Sequence, residues 1–522
     1  MKEKKLIQRG LVFGIFFLLL AAMVVITVPM NVVATAPSTV WVDNDYYSGG
    51  ANDGHSWGID AFDNIQSGVN AVATGGTVHV YDGTYYPSPA TTPHISISKS
   101  LTLQAEDDIE DVIIDGSSYG DIIRITANDV DIKGAASGEG FTIQNSGIPN
   151  PIPARWGAGI RLAGVSASRI TGCDIEDIVF EDNYNGIRLY YAGDATTSTG
   201  NTFKNIDCTN NERDFILEHS NYNTFENIES TIEEAPSYYY IAAIALYDDS
   251  TYNIFDNIDI TGPGEEMDGF YLSNDCDHNK IFNCKISDFD NGISLHGATN
   301  ECNDNEIQGC DIDSQQNSCI YILNCDENAI NYNNLGASGD SALYVIQLYS
   351  SSHTIIADNV IKAANVGIVL EDNSNLNIID HNEISYCDSY GVEILSSSDT
   401  EITNNEISYC NSVGIVLESD SDSNTITYNE ISYCDSYGVE ILSSYSNEIH
   451  HNNFIENNGA GWSWDPAYIQ AYDVILPPDS GNIWNLDYGD PLDTDIDCGN
   501  YWSDWGPVGS DELCGPNQDN QG

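Results

Sequence analysis

One hexapeptide, Asn-Glu-Ile-Ser-Tyr-Cys, occurs three times, at 382–387, 405–410 and 429–434, so that Asn382, Asn405 and Asn429 follow one another at steps of 23 and 24 residues. A period of that length constrains the fold strongly, because each repeat must be one unit that buries its apolar face against the next. Looser copies, Ile-x-x-Asn-x-(Ile/Leu/Phe), begin at Ile330, Ile356, Ile379, Ile402, Ile426 and Ile449, and Cys284 and Cys310 take the Asn place in two earlier ones. A second signature, Gly-(Ile/Val/Phe)-x-(Leu/Ile), interleaves with the first from Gly159 to Ile441, with degenerate copies ending at Leu217, Leu246, Ile322 and Val345. Together they mark about twelve coils between Gly159 and Leu442.

Within each repeat, apolar residues alternate at period 2 in short runs separated by Asn, Asp, Ser and Gly, which is the pattern of strands and turns. Leucine-rich repeats share the period but need several leucines per repeat, and propeller blades need longer ones. The reading is all-β: a parallel β-helix with coils stacked at about 4.8 Å, right-handed by the general preference of parallel crossovers. Asn suits its place twice over, since it tolerates the left-handed conformation of sharp turns and its amide both donates and accepts. Asn382, Asn405 and Asn429 are therefore predicted to stack one coil apart. Cys387, Cys410 and Cys434 should stack likewise. Their parallel side chains suit buried small hydrophobes better than disulfides. Cys498 and Cys514 lie outside the ladders and are the candidate disulfide.

The ends differ from the middle. Lys2, Lys4, Lys5 and Arg9 precede an apolar run over 11–30 and the small residues Ala34 and Ala36, the pattern of a signal peptide or an uncleaved membrane anchor over 1–36. That places the remainder outside the cytoplasm, secreted or at the cell surface, with membrane contact only through this segment. Residues 37–105 read as an N-terminal cap and first coils, 106–460 as the β-helix repeats, and 461–522 as a C-terminal segment. Phe62, Ile65, Val69 and Val72 recur at helical spacing within 61–73, with Asp60 as N-cap, predicting a short capping helix.

Charge excludes one class of partner. With 80 acidic and 16 basic residues the net charge is −64, and no Lys or Arg follows Lys362. Such a field repels nucleic acid and anionic membranes.

In Gly-Ile-x-Leu the Ile and Leu point inward, so x and the residue after Leu share an outer face. That face carries Arg161, Arg188, Tyr190, Glu218, Tyr247, Tyr271, His296, Tyr321 and Tyr344, with Asp248 and Asp249 where one strand turns. Aromatic rings stack on sugars while guanidiniums and carboxylates bind hydroxyls or uronates, so the face fits polysaccharide or a cell-envelope glycan. A stripe of ordinary exposed strand residues is the plainer reading. Carboxylate pairs, or a carboxylate with a cation, also open a lyase, epimerase or glycoside hydrolase reading. Longer coils leave loops at 192–200, 231–241 and 261–268 that could wall a cleft. Because Glu393 and Glu440 occupy the same face further on, the ligand site is expected between Arg161 and Tyr344. Asp493, Asp495, Asp497 and Asp504 nearly match a calcium loop, with Cys498 in the glycine position, and are the candidate calcium site.

Three segments carry a family resemblance. Trp41-Val-Asp43, Ile65-Gln-Ser-Gly-Val69 and Thr77-Val-His-Val-Tyr-Asp-Gly-Thr-Tyr85 resemble the opening of pectin-lyase-like right-handed β-helix proteins. The repeats resemble the NosD-like, or carbohydrate-binding and sugar-hydrolysis, group within that superfamily. Gly499-Asn-Tyr-Trp-Ser-Asp504 and Cys514-Gly-Pro-Asn-Gln-Asp519 are similar to that group's closing segment, after which its members continue, so the resemblance implies a truncated end at Gly522. It covers nearly all of the mature chain and implies the fold, but not an activity, because the superfamily hosts many. The Asn-Thr-Asp, Gly-His-Gly and Arg-Ile-Lys signatures of polygalacturonases are missing from the sequence. The NosD likeness implies copper-site maturation. The residues supply few soft ligands for it: the methionines are Met1, Met23, Met30 and Met267, and His450 and His451 are adjacent, which on a strand makes them diverge.

Overall fold

A computed structural model describes residues 35–86, 93–147, 157–233, 241–264, 267–313, 316–336, 343–362, 365–459, 471–473, 481–484 and 500–502. The chain winds into a right-handed parallel β-helix. Its strands form one 29-stranded and one 15-stranded sheet, and partners lie in parallel register from coil to coil, as Arg161 on Arg188 and Glu383 on Glu406 illustrate.

The 15-stranded sheet positions the candidate site, so its strands are numbered here. They are β1 (Ile95–Ile97), β2 (Ile123–Ile125), β3 (Ile160–Ala163), β4 (Ile187–Tyr190) and β5 (Phe215–Glu218). Next come β6 (Ile241–Tyr247), β7 (Met267–Ser273), β8 (Asn291–His296), β9 (Ser318–Leu323) and β10 (Tyr344–Tyr349). The last are β11 (Val366–Glu371), β12 (Tyr390–Leu395), β13 (Ile415–Glu418), β14 (Val439–Leu442) and β15 (Ala471–Asp473).

The larger sheet is bent once per coil. Early coils carry the bend inside eight-residue strands, at Asp177, Asn205, Asn227 and Asn257, all with φ between 52° and 59°. Later coils break there into two short strands, such as Glu401–Thr403 and Glu406–Ser408 around Asn404 at φ 56°. Each coil thus shows three faces around an apolar core, in which like residues stack. Phe203, Phe225 and Phe255 lie ring on ring at 4.7 Å intervals. The glycine opening each Gly-Ile-x-Leu is required by close approach: a Cβ on Gly391 would meet Ile407 Cγ2 at 2.6 Å and the Gly414 carbonyl oxygen at 2.7 Å.

The Asn ladder is continuous where the hexapeptides repeat. The Asn382 amide donates to Asn405 Oδ1 (3.0 Å), Asn405 to Asn429 Oδ1 (2.9 Å) and Asn429 to Asn452 Oδ1 (3.0 Å). The left-handed residue is not the Asn but the one before it, His381, Asn404 or Tyr428, at φ 53°, 56° and 58°. The ladder Asn is kept for its amide, which also caps carbonyls of the previous coil, as Asn405 does for Ile379 at 2.8 Å. Cys387, Cys410 and Cys434 are buried free thiols, and the Cys434 N–H donates to Asn457 Oδ1 at 3.0 Å.

The capping helix is shorter than its apolar spacing implies. It spans Ile65–Ala71 and is capped by Asn64, whose side chain accepts from the Ser67 N–H at 2.9 Å, not by Asp60. Ala61 and Phe62 form a strand paired with Trp41 and Val42, because the first coil needs a neighbour for its ladder before the helix begins. Residues 1–34 of the leader lie outside the described residues.

Candidate functional site

The outer face of the 15-stranded sheet carries two rows set by its register. The x row runs Arg124, Arg161, Arg188, Ile216, Ala245, Tyr271, Ser294 and Tyr321, then Gln347, Val369, Glu393, Val416 and Glu440. The row beside it includes Tyr190, Glu218, Tyr247, His296, Tyr349, Glu371 and Glu418. Three blocks result: arginines, aromatics and glutamates.

In the first block, Asp121 is shared between Arg124 (2.9 Å) and Arg161 (3.4 Å). Burial, more than the neighbouring guanidiniums Arg188 and Arg124, lowers the Arg161 pKa, and Asp121 opposes the shift. Arg188 is only 7% exposed and holds Glu218 at 2.7 Å, the geometry of a strong charge-assisted bond. At the rim, Tyr191 and His219 stack at 4.6 Å with the Arg169 guanidinium 5.3 Å from the Tyr191 ring centre, and Tyr190 meets Tyr191 edge-on at 4.7 Å.

The aromatic block is a file of one ring per coil. Tyr247 and Tyr271 lie 5.9 Å apart, Tyr271 and His296 4.9 Å, and His296 and Tyr321 5.3 Å. Burial pushes Tyr247 up to about 12 and holds His296 below its usual value. At the start of β7, half-buried Asp268 accepts from the Asn291 amide at 2.8 Å, and desolvation pushes its carboxyl up to about 6.

Most of the sequence-predicted residues fall on this face, with Asp248 and Asp249 at its edge; Tyr344 does not. Tyr344 stands in a different row, between Ser318 and Val366, and the true x residue of β10 is Gln347. The run Val345-Ile346-Gln347-Leu348 offers two apolar frames, and the coil takes the one that stacks Ile346 on Ile320 and Leu348 on Ile322. Asp248 and Asp249 sit on the rim in left-handed conformation. There Asp248 accepts from the Asn274 amide at 3.5 Å and Asp249 lies 3.6 Å from His219. The face is a strip along the rod. A cleft of ≈ 460 Å³ lies instead on the larger sheet, lined by Asp177, Asn205, Asp207, Asn227, Glu229 and Asp259 among others.

Arg124 was legible but unread: Ile123-Arg124-Ile125 repeats the Ile-Arg-Leu of Arg161 and Arg188 without its glycine. Tyr191 and His219 gave no sequence signal, since only their turn conformation (φ 50° and 51°) brings them to the rim. His450 and His451 do not diverge. His451 stands at the bend with φ 58°, so the two rings meet at 4.9 Å and Nδ1 approaches Nδ1 at 2.6 Å. Among the described residues no three His, Cys, Asp or Glu side chains converge to hold a metal ion. Asp493, Asp495, Asp497 and Asp504, proposed for calcium, and Cys498 and Cys514, proposed as a disulfide, lie outside the described residues.

Two family models match the chain: the Right handed beta helix region over residues 344–465, and the Periplasmic copper-binding protein (NosD) over 122–335. No curated protein matches in sequence. Among solved structures, the chain is similar to pre-mature gene product 12 of bacteriophage phi29, at 12% identity and TM-score 0.52, covering 75% of this chain and 65% of that one. The tailspike of E. coli bacteriophage HK620, solved with a pentasaccharide, matches at 11% identity and TM-score 0.46, over 76% and 71% of the two chains. The A-module of an Azotobacter vinelandii mannuronan C-5 epimerase matches at 14% identity and TM-score 0.29, over 81% and 95%.

Proposed function

The chain belongs to the pectin-lyase-like right-handed β-helix superfamily, and we propose that it binds polysaccharide along the outer face of β3–β9, outside the cytoplasm. The observation that carries this reading is the file Tyr247, Tyr271, His296 and Tyr321, one ring per coil, with arginines at its head. A sugar residue of an extended polymer repeats at about the spacing of one coil, and rings offer apolar edges and hydroxyls to each one in turn. The arginine block supports an anionic sugar at that end, since guanidiniums bind carboxylate and sulfate in paired bonds. One further fact supports the location: the NosD model is described as periplasmic.

The test is binding of oligogalacturonates and sulfated oligosaccharides to the purified chain by calorimetry, with product analysis alongside. Arg161→Ala and Tyr271→Ala should each weaken the best ligand about tenfold, the worth of one charge-assisted bond or one stacked ring. Glu440→Ala should not weaken it. Equal loss from all three, or from Glu440→Ala alone, would rule the face out.

A further inference from the structure

We propose that the same face is the interface of an antiparallel dimer, two copies packed face to face about a two-fold axis that runs along β8. This goes beyond the polysaccharide reading and uses different observations. An axis lying in the face along β8 reverses the rod but keeps the strand direction. Each outward residue of a strand then meets the same row of the strand equally far on the other side of β8, in the self-complementary manner of a two-fold contact.

In that register the face is its own complement. Arg124 of β2 falls opposite Glu440 of β14, and Arg188 of β4 opposite Glu393 of β12. Tyr271 of β7 falls on Tyr321 of β9, and Tyr247 of β6 on Tyr349 of β10. His296, on the axis, meets its own copy. Arg161 falls on Val416, with Glu393 and Glu440 one coil to either side and Glu418 further along β13. The one like-charged pair, Glu218 on Glu371, is provided for within each chain: Arg188 holds the first at 2.7 Å and Gln347 donates to the second at 2.7 Å. A parallel pairing about the rod axis would instead set arginine on arginine and glutamate on glutamate.

The charge distribution of the chain narrows the partner to a second copy. Beyond the leader every arginine lies between Arg124 and Arg213, and no Lys or Arg follows Lys362, so the glutamate block lies beyond the last cation in the sequence. In the single chain, burial and the neighbouring Glu418 and Glu371 push Glu393 up to about 7. From β2 to β14 the strip is about 58 Å long at one coil per 4.8 Å. Within that strip Ile216, Ala245, Ser294, Val369 and Val416 are fully buried, so the contact would be carried by the aromatic file and the charged side chains at either end. The net charge of each copy repels at long range, but that field is screened beyond about 8 Å in 0.15 M salt. The acidic half of one copy then occupies the arginines that would hold an anionic sugar, so dimerisation and such a ligand compete.

Sedimentation equilibrium of the full chain in 0.15 M salt tests this. The wild type should be a dimer at micromolar concentration. Arg124→Glu and Glu440→Arg should each weaken association at least tenfold, and an equimolar mixture of the two variants should recover it, because each mismatch in one copy is complemented by the other. A second measurement avoids charge and folding artefacts. His296→Cys, oxidised mildly, should give a dimer linked at position 296. A monomeric wild type, single charge variants that associate as tightly as the wild type, or a mixture that fails to recover would each overturn the proposal. Glycan binding by the monomeric variants would leave the earlier reading standing.

Discussion

Strands β2–β4 and β11–β14 share one inner surface and differ completely on the outer one. Ile123, Ile160 and Ile187 at one end, and Ile368, Val392, Ile415 and Val439 at the other, are fully buried on the same line of the core. Their outward neighbours are Arg124, Arg161 and Arg188 in the first region and Val369, Glu393, Val416 and Glu440 in the second. An inward residue is packed by its counterparts in the coils above and below, at densities that punish a change of one methylene. Most outward residues also meet water, so their identity varies more freely, although Val369 and Val416 in the second region are as buried as the core. Whatever distinguishes this chain from other β-helices is therefore written on the outer rows.

The sharpest way to break the comparison is to remove an element that both regions share. Asn253 receives the N–H and amide of Asn223 at 3.0 Å each and donates to the Ser220 carbonyl at 2.9 Å. Asn405 does the same between Asn382 and Ile379. Asn253→Ala or Asn405→Ala leaves a buried N–H and a buried carbonyl unpaired, each costing about 1–3 kcal/mol. Urea unfolding should show about 3–5 kcal/mol lost in either variant. If one variant unfolds early and the other matches the wild type, the two halves do not share a single cooperative frame.

A second prediction sets buried carboxyls of the two halves against each other by pH. Asp214, at the inward glycine position of its coil, is fully buried against Ser230 (2.6 Å) and Asn211 (3.1 Å), and desolvation pushes it up to about 6. Glu393 on the outer face is raised to about 7 by desolvation, then by Glu418 and Glu371. Both folded values exceed the unfolded ones, 3.8 and 4.5. Each carboxyl therefore adds stability that is complete below its unfolded value and is lost as pH rises through the folded one. For Asp214 the loss, between 3.8 and about 6, has a ceiling of about 3 kcal/mol. For Glu393 it is smaller, because water still reaches the group. Melting temperature measured from pH 4 to pH 8 should fall across these windows. Asp214→Asn should remove the lower part of the fall and Glu393→Gln the upper part. A flat profile in the wild type would contradict both.

How much of this was legible in the sequence follows the same inner and outer division. Period, strand phase and ladder positions were readable because the core repeats them, and Ile-x-Leu recurs wherever two coils must stack. Register failed at Tyr344, where Val345 and Ile346 are both apolar and only the neighbouring Ile320 decides between them. The cap was misread because Asp60 and Asn64 are both good capping residues, and the choice depends on Ala61 and Phe62 pairing with the first strand. The candidate face was readable residue by residue as far as the alternation held. Its rim was readable only at Asp248 and Asp249, which follow the strand directly; Tyr191 and His219 take left-handed turns that leave no periodic trace. The opposition of arginine and glutamate about β8 appears only once strands are counted across the whole sheet.

The smallest expected effect concerns a defect in one half. In the first region the ladder Asn201, Asn223, Asn253, Asn279 is unbroken amide to amide. Further on, the same line reads Asn328, Thr354, Asn377, Thr400, Asn424. The hydroxyls of Thr354 and Thr400 are buried without a hydrogen-bond partner. Each Thr still has its backbone N–H satisfied, by Asn377 Oδ1 at 2.7 Å and Asn424 Oδ1 at 2.9 Å. What the threonines lack is the amide donor that Asn377 sends to the Ser351 carbonyl at 3.0 Å. Thr354→Asn and Thr400→Asn should supply it, and extend the ladder by one amide bond to the following Asn. Each completed bond contributes about 1 kcal/mol net, offset in part by the extra side-chain freedom lost on burial. The combined variant should raise the urea midpoint without changing the slope of the transition. A lower midpoint would mean that these two coils are packed too tightly for the longer side chain, and that the gaps are a feature of the second region's core.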